Sequence, residues 1–310
     1  LNGVYQRDIG VRLVLVANND LIVYTTANPG PLPDPPSNHG QNQSVIDAAI
    51  GSANYDVGHA VGGGGSGGSI SPLGNVCTSQ KAQGYTALNP PRGDIFDIDY
   101  VAHELGHQLG ANHTWFGCGG GGQWTQTSAM EPGSGSTIMA YAGICADDLQ
   151  PNSDAYFHAR SYTQIVTRLA LDESVTPPSC GTNTATGNTP PTVSAPAAMT
   201  IPEQTPFQLR ATASDGEGDT LSYNWEQTDT SSPSAAPSTT GDNGTAPLFR
   251  SYNATLSPTR VFPAMAYILA GWSAALRIAV DDPTERARLV DAGLAVAASG
   301  TPERTATALI

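Results

Sequence analysis

Three histidines and one glutamate stand close together in the stretch HELGHQLGANH, which runs from His103 to His113. On a helix, His103 and His107 would project from the same face, about one turn apart. Two imidazoles at that spacing can bind one zinc ion through Zn–N bonds of about 2.1 Å. Glu104 would lie beside these ligands but displaced around the helix, so we expect it to accept a proton from water without binding the metal.

Gly110 and His113 complete the predicted site. Because it lacks a Cβ, Gly110 can adopt positive φ, end the helix and turn the chain sharply. That turn would return His113 as a third ligand, and three protein ligands leave a fourth coordination position open, as in catalytic zinc sites. Three unrelated surface histidines are a weak alternative, since only six of the 310 residues are histidine. The spacing therefore predicts a catalytic zinc centre.

The segment DIDYVAHELGHQLG, residues 97–110, is the clearest helix of the sequence. Its apolar residues recur at helical spacing, with Asp97 as the predicted N-cap and Gly110 as the stop. Further helices are predicted at 1–10, 42–53 and 159–172, and strands at 11–18 and 55–61. A glycine run at 62–68 precedes an extended edge strand predicted at 69–77. These elements indicate an α+β domain over residues 1–176.

The composition changes after Thr176, which predicts a second part of the chain. Residues 177–191 read as a Pro/Thr/Asn-rich linker. FQLRATASD and TLSYNWEQ then alternate apolar and polar residues, which predicts a small all-β sandwich over residues 192–263. The Ala-rich tail, residues 264–310, receives no assignment.

Charge and cysteine content limit the partners and the compartment. A net charge of −14 argues against a nucleic-acid partner. The sequence contains no run of 18 or more apolar residues, the length that a membrane-spanning helix needs. Four cysteines in a loop-rich chain fit two disulfides, so we expect a secreted protein, monomeric by default, whose signal peptide and any propeptide are absent from this chain. Three pairings are possible. We expect the pairs Cys77–Cys180 and Cys118–Cys145.

The motif and a later methionine carry a resemblance to a known family. His103 to His113 match H-E-x-x-H-x-x-G-x-x-H, and Met139, in STIMAYAG, matches the Met-turn that follows it, so the sequence resembles the metzincin zinc endopeptidases. It looks most like their bacterial reprolysin-like (adamalysin-type) branch over nearly all of residues 1–180. Reprolysins usually carry Asp after the third histidine, whereas this chain has Thr114. SDGEGDTLSYNWEQ resembles, more weakly, Ig-like or PKD-like repeats.

The resemblance implies a fold and several roles. It implies an α/β/α-type catalytic domain with a mixed twisted sheet, here lacking its first strand, and a Met139 side chain beneath the imidazoles. Tyr141 would ligate the metal or stabilise the oxyanion, with core packing as the alternative. Residues 143–158 would shape the S1′ pocket. An edge segment would hold the substrate, made of Ser69, Ile70, Ser71, Pro72, Leu73 and Gly74.

The predicted function is hydrolysis of peptide bonds in proteins by zinc-activated water, with Glu104 as the general base. The alternative is a catalytically weak, metzincin-like binding or adhesion protein whose role lies in the β module. Asp215, Glu217 and Asp219 could form a Ca²⁺ loop, but they lack the spacing of an EF-hand, which favours a solvated turn. His158 is expected to be a satisfied helix-start residue rather than a ligand.

Overall fold

A computed structural model describes residues 1–24, 31–118, 123–146, 148–169, 181–202, 205–230 and 245–265. The chain divides into two compact units, one made of Leu1–Pro190 with Gly216–Leu256, the other of Pro191–Asp215 with Ser257–Ile310. These units differ from the predicted domains, because 216–256 joins the first unit. Most of the Ala-rich tail, residues 266–310, lies outside the described residues.

Four helices are described in the first unit. They are α1 (Asn2–Ile9), α2 (His39–Ile50), α3 (His103–Gln108) and α4 (Ala159–Leu169). A π-helical stretch, Ile95–Ala102, leads directly into α3, so the helix starts before the predicted N-cap at Asp97. Helix α2 begins three residues before its predicted start, because the Asn38 side chain accepts a hydrogen bond from the Gln41 N–H (3.0 Å) and caps it. Short 3₁₀ turns cover Asn19–Ile22 and Ser52–Asn54.

A three-stranded mixed sheet of order β1-β3-β2 lies beside α3. Strand β1 (Ala60–Gly62) runs parallel to the central β3 (Gly84–Leu88), and β2 (Ser66–Ile70) runs antiparallel to it at the edge. The predicted edge segment Ser69–Gly74 is therefore displaced, because the strand starts within the glycine run and residues 71–74 lie beyond it. Pro72 has no N–H to donate to a ladder, which agrees with this boundary.

The strand predicted at 11–18 does not form in the described structure. Residues 11–16 have no regular secondary structure, residues 17–18 lie in a turn, and Val14 and Leu15 are exposed. Apolar β-branched residues favour a strand, but a strand also needs a hydrogen-bonded neighbour, and none is described beside this one.

One apolar cluster packs against α3. Its members include Val101, Leu105 and Leu109, residues of α1 and α4, and Ile138 and Met139. Tyr5 of α1 is fully buried there, and its hydroxyl donates to the carbonyl of Ala102 (2.7 Å). The first turn of α3 is therefore fixed by both apolar packing and a buried hydrogen bond. 

A buried amide of α3 is hydrogen-bonded to the segments that precede strands β1 and β3. Gln108 is fully buried, and its Nε2 donates to the carbonyls of Gly58 (3.0 Å) and Lys81 (3.2 Å) and to Oδ1 of Asn75 (3.1 Å). Its Oε1 accepts from Nδ1 of His59 (2.7 Å). All these groups are satisfied, so the network orients the helix without an unpaired polar atom.

The second unit contains two small antiparallel sheets. Strand β4 (Thr192–Ser194) pairs with β6 (Thr212–Ser214), and β5 (Phe207–Arg210) pairs with β7 (Thr259–Phe262). The rings of Phe207 and Phe262 stack at 4.9 Å across the second pair. The α+β character of the chain is confirmed, while the complete β-sandwich stays a prediction.

The Cys118–Cys145 disulfide is confirmed, with a Cα–Cα distance of 5.1 Å. Cys77 is also disulfide-bonded, but its predicted partner, Cys180, lies outside the described residues. Among the helices of the described ranges, none is long and apolar enough to cross a membrane.

Candidate metal centre

The first two histidines of the motif lie on one face of α3. His103 and His107 are one helical turn apart, and their ring centroids are separated by 4.6 Å. Both side chains are buried. The π-helical stretch ends at Ala102, immediately before His103, and wide turns of this kind are frequent at functional sites.

Gly110 turns the chain and returns His113 to the other two histidines. Its φ is 105°, a left-handed conformation that favours glycine, and a Cβ there would lie 2.9 Å from Cβ of Arg168. One nitrogen from each of His103, His107 and His113 lies within 4.8 Å of the others. The structure thus brings the three predicted ligands together. 

Each imidazole is oriented by a backbone carbonyl. Carbonyls only accept hydrogen bonds, so each Nδ1 carries the proton and each Nε2 presents a lone pair. The pairs are His103 Nδ1 with Ile138 O (2.7 Å), His107 Nδ1 with Ala111 O (2.6 Å) and His113 Nδ1 with Gln123 O (2.8 Å).

The Nε2 atoms of His107 and His113 lie only 3.0 Å apart. Two lone pairs at that distance repel each other unless they share a cation, and two nitrogens on one zinc ion lie about 3.4 Å apart. Burial, followed by the neighbouring His113, lowers the pKa of His103 to about 3, so this ring stays neutral. Burial is also the main cause that lowers the pKa of His107 and of His113. This donor set therefore fits a zinc ion.

Glu104 lies beside the ligands with a carboxylate oxygen that has no partner. The side chain is buried, and its Oε2 has no hydrogen-bond partner among the described residues. Burial raises the pKa of Glu104 to about 8. Gly68 of the edge strand β2 leaves the space that the carboxylate occupies, since a Cβ on Gly68 would lie 2.6 Å from Oε1 of Glu104. 

Met139 and Tyr141 both lie close to the histidines. Met139 is fully buried, and its Sδ occupies the position that a Cβ on Gly106 of α3 would need. The Tyr141 ring is 4.5 Å from that of His113, and its hydroxyl donates to Oε1 of Gln123 (2.9 Å). Burial, and then the Glu104 carboxylate, raise the pKa of Tyr141 to about 12. At neutral pH Tyr141 is therefore a hydrogen-bond donor.

Glu131 is a buried carboxylate that no motif singles out. Its Oε1 accepts from the hydroxyls of Thr114 (2.7 Å) and Thr137. Its Oε2 accepts from the backbone N–H groups of Ser136 (2.8 Å) and Thr137 (3.2 Å) and from the Ser136 hydroxyl (3.3 Å). Both oxygens accept, which is the behaviour of an ionised carboxylate.

The hydrogen bonds of Glu131 connect two parts of the site. Thr114 directly follows the third histidine, and its backbone N–H donates to the carbonyl of Met139 (3.0 Å). Thr137 directly precedes Ile138, whose carbonyl orients His103. Glu131 thereby fixes the residues beside two ligands. In the sequence, Glu131 stands out only as a single glutamate in the segment EPGSGST, whose other residues are small or uncharged. That is a weak indication of a structural role.

The remaining histidines and acidic residues do not join this site. His158 is buried 3.7 Å from Oε2 of Glu226, and Nε2 of His59 is bonded to the Thr86 hydroxyl (2.9 Å). Within the described ranges, the three histidines are the one group of three or more possible ligands close enough to share an ion. A calcium requirement stays a prediction.

Comparison with known proteins agrees with the geometry of the site. Residues 1–168 match the family model described as metallo-peptidase family M12B, reprolysin-like. The matched range includes all three histidines, Glu104 and Met139. A comparison with curated proteins finds no match.

Proposed function

The chain belongs to the reprolysin-like M12B family of metallopeptidases, and on that premise we propose that it is a secreted endopeptidase with Glu104 as its general base. Membership makes it a zinc-dependent hydrolase of peptide bonds. The single observation that supports Glu104 is the unpartnered, buried carboxylate oxygen beside three convergent Nε2 lone pairs.

His103, His107 and His113 would hold the zinc ion through Nε2. When bound, zinc supplies Lewis-acid activation of water and of the scissile carbonyl. The backbone carbonyls on the three Nδ1 atoms keep each ring in the tautomer and orientation that a metal needs.

The charge of a bound zinc ion would favour the ionised form of Glu104, which would take a proton at its carboxylate from the attacking water and return it to the leaving amine. Its buried position excludes bulk water from that exchange. The neighbouring Tyr141 hydroxyl is a donor that we assign to the developing oxyanion, after it leaves Gln123. Core packing against His113 and Trp115 is the alternative role of Tyr141.

Strand β2 would bind the substrate backbone. It is one of the two edge strands of the described sheet, pairs only with β3 there, and passes close to Glu104 at Gly68. An extended peptide can add to such an edge through main-chain hydrogen bonds. This proposal replaces the predicted segment Ser69–Gly74 by Ser66–Ile70.

Secretion is supported by the Cys118–Cys145 disulfide, since structural disulfides are typical of oxidising compartments.

The test of the proposed function is a peptide-library digest by the wild-type protein and a Glu104→Gln variant, with zinc content measured for both. We expect the variant to bind zinc equally and to lose about 10²- to 10⁴-fold in kcat/KM. A chelator should abolish wild-type hydrolysis, and zinc should restore it. Asp20→Asn, which neutralises an exposed carboxylate away from the histidines, is the control. If Glu104→Gln keeps most of the activity, Glu104 is not the base.

A further inference from the structure

The part of the chain after the predicted linker contacts the loop that follows the Met-turn. Arg250 donates through Nη2 to Oε1 of Gln150 and to Oδ2 of Asp154 (3.3 Å). Its guanidinium also lies 4.6 Å from the centre of the Tyr252 ring and donates through Nε to Ser251 O (3.0 Å). Because the Ser251 carbonyl and the Tyr252 ring hold the guanidinium in place, its hydrogen bonds to Gln150 and Asp154 restrict movement of the loop.

The same segment contacts the Met-turn itself. Ser136 donates through its hydroxyl to the carbonyl of Ser251 (3.3 Å), and its own carbonyl accepts from the N–H of Asp154 (2.8 Å). Ser136 is fully buried, and its backbone N–H donates to Oε2 of Glu131 (2.8 Å). One residue thus joins the downstream segment, the loop and the carboxylate that fixes the metal ligands.

Glu226 provides a second attachment, at the start of α4. Its Oε2 accepts from the N–H of Ala159 (2.6 Å), the first residue of the helix, where a negative charge is favoured by the helix dipole. Its Oε1 accepts from the Ser251 hydroxyl (2.6 Å), and the buried His158 ring lies 3.7 Å away. Residues 143–158 are therefore held at their end as well as at Gln150 and Asp154.

We propose that residues 216–230 and 245–256, here called the brace, set the cleavage preference by fixing the loop 143–158. The inference rests on the proposed function and on the S1′ role that the family resemblance implies for that loop. The brace belongs to the same compact unit as α3 and the three histidines, and it contacts the loop from the side through Arg250 and from its end through Glu226. A pocket distinguishes substrate side chains by small differences in packing. The position of the loop therefore decides which residue the enzyme accepts directly after the cleaved bond.

The test uses the full chain with Arg250→Met, which keeps the aliphatic stem and removes every donor. Amide hydrogen exchange in residues 143–158 should become about tenfold faster, while exchange in α3 stays unchanged. The ratio of kcat/KM between large and small P1′ residues should change by about 3- to 10-fold, at unchanged zinc content. Unchanged exchange, or an unchanged ratio, would overturn the proposal.

Two further variants separate the brace from other effects. Asp154→Asn removes the charge on the loop side with little change in shape, so it should alter the same ratio, and the double variant should add little to either single change. Arg260→Met is the matched control, because Arg260 also lies over an aromatic ring, at 4.4 Å from Phe262, but in the second unit. It should alter neither quantity. Hydrogen exchange needs no catalysis, so a wild-type protein without activity would refute the proposed function and leave the test of the bracing contacts intact.

Discussion

Gly68→Ala tests whether the position of Glu104 limits the reaction. The new Cβ would lie closest to Cγ of Glu104 and 2.6 Å from its Oε1, whereas ordinary van der Waals contact begins at 3.4 Å. The side chain must therefore move by about 1 Å, and misplacements of that size can cost about 10²-fold in rate. Because Cγ lies near the helix backbone, Glu104 relieves this contact by taking another side-chain rotamer, which moves its carboxylate away from the ligands.

We expect kcat of Gly68→Ala to fall by about 10- to 100-fold with little change in KM, since the carboxylate acts in the transition state rather than in binding. The free energy of unfolding should fall by about 1–3 kcal/mol, the usual cost of overpacking, and zinc should bind as in the wild type. Steady-state kinetics, thermal unfolding and metal analysis measure these three quantities.

Gly63→Ala is the matched control for this prediction. It lies in the same glycine run, and its new Cβ would meet Oδ2 of Asp34 at 3.7 Å and Cδ of Pro91 at 3.9 Å, both ordinary contacts. Its kcat should stay within about twofold of the wild type. The reasoning is refuted if zinc-loaded Gly68→Ala hydrolyses peptides as fast as Gly63→Ala.

Three further predictions concern the support of the site. Glu131→Gln replaces one accepting oxygen by an amide donor, so the free energy of unfolding should fall by about 2–4 kcal/mol and zinc affinity by about tenfold. Chemical denaturation and chelator competition measure the two quantities. Unchanged values would show that Glu131 does not fix the residues beside the ligands. Burial lowers the pKa of His59 to about 4 from an unfolded value of 6.5, so its contribution to stability is complete above pH 6.5 and is lost as the pH falls toward 4. That loss should stay below about 3 kcal/mol because the residue is only half-buried, and unfolding curves of His59→Gln should lack it. Replacing Cys118 and Cys145 by serine opens a loop with a sequence separation of 27 and should cost about 3.5 kcal/mol, measured by chemical denaturation; a cost near zero would contradict the loop-entropy estimate.

The metal site was predictable because its information is local. His103 and His107 need only helical spacing, and Gly110 needs only the freedom to adopt positive φ, so residue types over one short segment decide the geometry. The family match over residues 1–168 confirms the resemblance that these residues carry. The helix itself was predicted within about two residues at each end, since apolar periodicity marks a buried face better than it marks a terminus.

The edge strand and the strand predicted at residues 11–18 were harder to predict, because the presence of a pairing partner decides whether a strand forms. The edge strand was predicted to begin after the glycine run, yet Ser66–Ile70 forms a full ladder with β3. Residues 11–16 are rich in β-branched side chains, yet they remain unpaired. In both places local propensity is overruled by whether a neighbouring strand is available.

Glu131 and the brace were missed for a different reason. Glu131 lies in coil without periodicity, and its role depends on Thr114 and Thr137, which folding brings to it from both sides. The bond from Ser136 to Ser251 joins residues that are 115 positions apart. No pattern within a short window can indicate a contact of that separation.

These long-range contacts imply that the peptidase does not end with α4. Glu226 supplies a carboxylate to the first turn of α4, and Arg250 supplies a guanidinium to the loop before it. Both residues come after the predicted linker. Closing the chain between residues so distant costs entropy that grows only slowly with length, so a few buried hydrogen bonds can offset it. The metal ligands therefore depend on local sequence for their geometry, while the loop before α4 receives hydrogen bonds from distant sequence.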